Sequence, residues 1–131
     1  MTAPLFHYTC DHGDDAITAA GGMLAPNPNY NLPGAPRLLW CTPEPTADAD
    51  ALGLTSHTLS CDRTRYRWRL DDPNPAVPWV QWLREQPRDV RRAARHRLPG
   101  SPLLWWVSLT PVHATRSPIL TAELTRAGAP C

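Results

Sequence analysis

The sequence predicts an α+β domain with more strand than helix. Three observations carry this. From Arg63 to Leu70, arginines alternate with Thr64, Tyr66, Trp68 and Leu70 at a period of two, the mark of a strand. Trp79, Trp82 and Leu83 fall at i, i+3 and i+4, which puts them on one helix face. Sixteen prolines and seven glycines in 131 residues keep every element short. That length suits one domain with a modest core, and six tryptophans within 42% hydrophobic content mark a folded chain.

Leu5 to Thr9 reads as a buried first strand. Asp11 to Ala20 reads as an early helix, with acidic residues at the end where the dipole favours them, and Gly21-Gly22 ends it. Pro26 to Pro36 is loop. Arg37 to Thr42 is a second strand stopped by Pro43. Glu44 to Leu54 reads as a turn with at most one helical turn. Arg63 to Leu70 is the third strand, with all four arginines on one face, and Asp71-Asp72-Pro73 ends it. Val77 to Arg97 carries the mid-chain helix, which Pro87 must interrupt. Leu103 to Leu109 and Ile119 to Thr125 read as the last strands, with Trp105 and Trp106 on opposite faces of the first of them.

The formal net charge is +1, which argues against a chain devoted to polyanions. All thirteen basic residues are arginine. A GC-rich coding bias explains that preference chain-wide, since Ala, Pro and Asp are also plentiful. Two clusters stay as candidates for phosphate or base contact. One is the ladder Arg63, Arg65, Arg67 and Arg69, otherwise a charged face of an edge strand. The other is Arg84, Arg88, Arg91, Arg92, Arg95 and Arg97 on the second helix, tempered by Glu85 and Asp89. The cysteines at 10, 41, 61 and 131 form no CxxC pair, and His7, Cys10, Asp11 and His12 match no zinc spacing, so no metal is expected. No run suits a signal core or a membrane span, and a cytoplasmic protein is expected.

His7 is the most pointed single residue. A lone strand histidine is usually a satisfied core residue. Here it stands beside Tyr8 and Thr9, on a strand that Leu5 and Phe6 anchor, and leads into a helix and the turn Gly22-Met23-Leu24.

This order resembles the small single-domain ADP-ribosyltransferases, both the DNA-targeting toxins and the rifamycin-inactivating enzymes. The matching pieces are His7-Tyr8-Thr9, Gly22-Met23-Leu24, Trp40-Cys41-Thr42 with Ala51-Leu52-Gly53, the strand Arg63 to Leu70, and a late strand carrying Glu123. The resemblance implies a split β-sandwich of two small sheets and NAD as cofactor. His7 would bond the nicotinamide-side ribose. Backbone groups around Tyr8 and Thr9 would hold the carboxamide, and Gly22 would admit the dinucleotide closely. Trp40, next to Thr42, would stack on nicotinamide where the family often has tyrosine. A carboxylate would stabilise the oxocarbenium-like transition state. The chain has three glutamates, at 44, 85 and 123. Glu123 sits where the toxins place their acid, and Asp71, Asp72 and Glu44 remain open. The acceptor could be a nucleic acid, a protein or a small molecule, in a toxin, phage or defence factor or a drug-modifying enzyme. A second function class is a module that has lost catalysis and binds nucleic acid or a protein through Arg63 to Arg69 and the Arg84 to Arg97 helix.

Overall fold

Strand β1 (Phe6–Thr9) is where two sheets meet in the computed structural model, which describes residues 3–28, 32, 34–46, 62–97 and 101–118. The other elements, in chain order, are α1 (Asp11–Ala19), β2 (Met23–Leu24), β3 (Leu39–Cys41), β4 (Tyr66–Leu70), β5 (Val77–Pro78), α2 (Trp79–Arg84), α3 (Arg88–Arg97), a 3-10 turn (Pro102–Leu104), β6 (Trp106–Ser108) and β7 (Val112–Ser117). One antiparallel sheet has the order β1-β4-β7-β2 and the other β3-β6-β5, so the α+β expectation holds.

Two apolar cores follow from this layering. Trp68, Leu70, Val112, Ala114 and Leu24 of the first sheet meet Leu39 and Cys41 of the second, with Ile17 of α1 filling between. On the other side of the second sheet, Leu38, Trp105 and Val107 pack against Trp79, Trp82, Val90 and Ala94 of the two later helices, joined by Phe6 and Tyr8. Trp79 is 2% exposed; truncating such a side chain to alanine costs about 3–5 kcal/mol.

Local rules set the ends of α1, α2 and α3. The C-terminus of α1 is a full Schellman motif: Gly22 N–H bonds Ile17 O at 2.9 Å and Gly21 N–H bonds Thr18 O at 3.0 Å. Gly22 has φ +92°, and a Cβ there would lie 2.7 Å from the Ala114 carbonyl oxygen of β7. Only glycine meets both demands. Pro87 divides the expected mid-chain helix into α2 and α3. It has no N–H to continue α2, while its carbonyl accepts the first bond of α3 from Arg91 N at 3.1 Å.

Several expectations need correcting. The strand expected from Arg63 begins at Tyr66, because Arg63-Thr64 is a turn held by Asp62, whose Oδ1 accepts from Thr64 N and Oγ1 at 2.9 and 2.6 Å. The four arginines therefore do not form one ladder; only Arg67 and Arg69 share a strand face. β4 is an interior strand, not an edge. The strand expected over Leu103 to Leu109 is a 3-10 turn followed by a short β6, since Pro102 favours the turn. Strand β7 was not foreseen: its apolar positions include small Ala114, and Arg116 occupies an inward one. The strand expected from Ile119 to Thr125, with Glu123, lies outside the described residues, as do Cys61, Cys131 and the stretch from Ala47 to Leu54.

Candidate functional site

The two sheets join at one bridge and then part. Phe6 and Thr42 exchange backbone bonds of 2.8 and 2.9 Å. The next step of that ladder would pair Tyr8 with Trp40, but the bridge is isolated. At that step the His7 side chain takes over: Nδ1 lies 2.7 Å from the Trp40 carbonyl oxygen. A carbonyl only accepts, so Nδ1 carries the hydrogen and Nε2 of the neutral ring is an acceptor. Among the described residues Nε2 has no hydrogen-bond partner. Burial holds the His7 pKa below its ordinary 6.5; the bond to Trp40 raises it, and the charge of Arg63 lowers it again. The ring is thus neutral at pH 7.

The pairing parity of β1 adds a second feature. Leu70 N bonds Leu5 O at 3.0 Å, and Phe6 sits opposite Arg69, so Leu5, His7 and Thr9 bond towards β4. Alternation then turns the N–H and C=O of Phe6 and Tyr8 the other way. For Phe6 that direction leads to Thr42. For Tyr8 it leads into the fork between β1 and β3. The His7 imidazole, with its accepting Nε2, therefore sits on the strand that joins the two sheets.

The flanking side chains brace this fork. Tyr8 Oη donates to Glu44 O at 2.7 Å, and Thr42 Oγ1, buried, accepts from Glu44 N at 3.2 Å. Thr9 packs so closely on α1 that a Cβ on Gly13 would stand 1.8 Å from its hydroxyl oxygen. The half-buried Trp40 ring lies 4.7 Å from Trp79 and 5.4 Å, edge-on, from Trp105. The Trp105 indole N–H is the one buried side-chain polar atom among the described residues without a partner.

Sequence-expected residues divide between the fork and elsewhere. His7, Tyr8, Thr9, Trp40 and Thr42 come together. Gly22 stands three strands away, about 14 Å at ordinary strand spacing. Arg63 is half-buried and near enough to His7 to affect its charge. Arg65 pairs with Asp11 at 3.2 Å. Arg67 is engaged internally: it bonds the Pro45 carbonyl, Pro118 O at 2.6 Å and Ser117 Oγ at 3.2 Å, and lies over the Phe6 ring. Arg69 is exposed. Asp71 accepts from Thr115 Oγ1 at 2.8 Å and meets His113 Nδ1 at 2.6 Å. It lies three residues along β4 from Trp68, the residue opposite His7. Asp72 caps a turn through Asn74 N at 3.0 Å.

The residues behind the fork were not foreseen. Asp14, only 4% exposed, accepts from Trp68 Nε1 at 3.0 Å and from Arg116 Nε at 3.1 Å, with a further Arg116 bond to its second oxygen. Arg116 also covers the rings of Tyr66 and Trp68. Trp68 is the cross-strand partner of His7 and Arg116 that of Trp68, so this cluster fixes α1 to the sheet behind β1. A signal existed: Asp14 lies three residues before Ile17, on the apolar stripe of α1, where a carboxylate must find a partner. Among the described residues no group of three or more His, Cys, Asp or Glu side chains is arranged to hold a metal, and no helix is long and apolar enough to cross a membrane.

No protein-family model, no curated protein and no solved structure matches the chain.

Proposed function

We propose that the chain is an NAD-dependent ADP-ribosyltransferase whose nicotinamide end binds in the fork between β1 and β3. The observation that carries this reading is the His7 bond to the Trp40 carbonyl, which fixes a neutral imidazole with an accepting Nε2 on the strand that joins the two sheets. The donor set fits the ligand chemically. A ribose hydroxyl donates, and Nε2 accepts. The half-buried face of Trp40 suits a flat ring.

When bound, NAD supplies a glycosidic bond whose cleavage frees nicotinamide and builds positive charge on the ribose. The neutral state of His7 avoids opposing that charge. Glu123 is the carboxylate assigned to meet it and to orient the acceptor. The Trp40–Trp79–Trp105 packing holds the Trp40 ring in place.

The test is release of free nicotinamide from NAD. The protein should release it, His7→Ala should reduce the rate at least about 100-fold, and Glu123→Gln should reduce it on a similar scale. Turnover that survives His7→Ala unchanged would overturn the reading.

A further inference from the structure

The thirteen arginines do not behave alike. Three on or beside the first sheet are held by protein groups. Arg65 pairs with Asp11, Arg67 bonds three oxygens of its own chain, and Arg116 is paired with buried Asp14. On α3 the pattern reverses. Arg88, Arg91, Arg92 and Arg95 are all exposed, and among the described residues none makes a salt bridge. Arg84, exposed at the end of α2, adds a fifth.

These four residues form like-charge pairs at i, i+3 (88 with 91, 92 with 95) and at i, i+4 (88 with 92, 91 with 95). Each such pair disfavours the helix by about 0.2–0.5 kcal/mol. Arg88 also stands in the first turn, the wrong end of the dipole for a cation. Asp89 is the one acidic residue on the helix. The face is therefore held in a self-repelling state that a polyanion would relieve.

The chemistry of the face selects among polyanionic and other partners. The apolar side of α3, Val90 and Ala94, is already buried against the tryptophan core. Nothing apolar remains to enter a bilayer, as an interfacial helix requires. The exposed face has no aromatic or aliphatic anchor of the kind that dominates protein interfaces. What it has is four guanidiniums over eight residues, about 10 Å of rise or roughly 3.5 Å per arginine step on average. That is on the scale of the charge repeat of a nucleic-acid strand.

We infer that the exposed arginine face of α3 docks a nucleic-acid phosphate backbone, independently of base sequence. The inference stands apart from the NAD reading. Of the two basic clusters that the sequence offers, it selects the helix over the β4 arginines.

The experiment is fluorescence anisotropy with a short mixed-sequence DNA duplex between about 50 and 200 mM salt. Four phosphate contacts predict a slope of log affinity against log salt of about −3.6. Replacing Arg88, Arg91, Arg92 and Arg95 together by Gln should weaken binding at least tenfold at low salt and remove most of the slope. It should also leave the melting temperature equal or slightly higher, since like charges are removed. Arg69→Gln should change binding by less than twofold. No duplex binding at low salt, an unchanged slope in the fourfold variant, or binding to phosphatidylserine vesicles in place of duplex would each overturn the inference.

Discussion

His7 and His113 sit on strands of the same sheet, and their pKa values are displaced in opposite directions for different reasons. His7 gives one nitrogen to a carbonyl and leaves the other as an acceptor facing a fork in the fold. His113 is exposed, yet both its nitrogens face acceptors: Nδ1 meets Asp71 at 2.6 Å and Nε2 meets Gly21 O at 2.9 Å. Both acceptors are met only by the protonated ring, which then ties the glycine turn after α1 to β7 and β4. The bond to Asp71 raises its pKa above 6.5, and the Gly21 bond adds to this. The Asp71 pKa is lowered by the same bond first and by Thr115 second. The lesson is that exposure does not tell which histidine keeps an open nitrogen. The half-buried one bonds through one nitrogen, and the exposed one is engaged through both.

The largest contrast is in activity. His7→Ala should lower nicotinamide release at least about 100-fold, while His113→Ala should leave it within about twofold. Equal losses in both variants would erase the distinction.

Stability should be affected most behind the fork. Asp14→Ala leaves the Trp68 indole N–H buried without an acceptor and frees Arg116 to solvent, at a cost of about 2–3 kcal/mol in urea denaturation. A cost below about 0.5 kcal/mol would show that this cluster does not brace β1.

The turn that His113 holds should come next. Gly22→Ala places a Cβ 2.7 Å from a backbone oxygen at φ +92° and should cost about 1–3 kcal/mol. An unchanged urea midpoint would mean that β7 can move aside.

The smallest effects, and the most discriminating, lie in pH. The lowered His7 pKa means that the unfolded chain binds the proton first, so its contribution is present above pH 6.5 and falls away as pH drops below that value. The raised His113 pKa has the opposite sign. Its contribution is full below pH 6.5 and is lost as pH rises through the folded-state value. Melting curves between about pH 5 and 8 should show both limbs. His7→Gln should flatten the acid limb, and His113→Gln the neutral-to-alkaline one. A single variant that flattens both would contradict the assignment.

Much of this fold was legible because periodicity and proline are local signals. β1, α1, the Gly21-Gly22 stop and the break at Pro87 follow from neighbours within a few residues. The tryptophan face of α2 was equally visible, and Trp79 and Trp82 are buried as the spacing requires. What escaped depends on distant partners. Nothing near Asp71 announces His113, 42 residues away, and nothing near Asp14 announces Arg116, 102 residues away. The arginine alternation misled for the same reason. Charge at period two looks like one ladder, but the turn at Asp62 and the bonds of Arg67 scatter its members into separate structural roles.

The most direct measurement is calorimetric titration of NAD into the native protein and into His7→Ala, at about pH 7.5 and about pH 5.5. The native protein should bind at the higher pH and lose affinity once the pH falls through the lowered His7 pKa, where protonation removes the Nε2 acceptor. His7→Ala should bind weakly at both. No binding by the native protein, or equal binding by the two proteins at both pH values, would contradict the account.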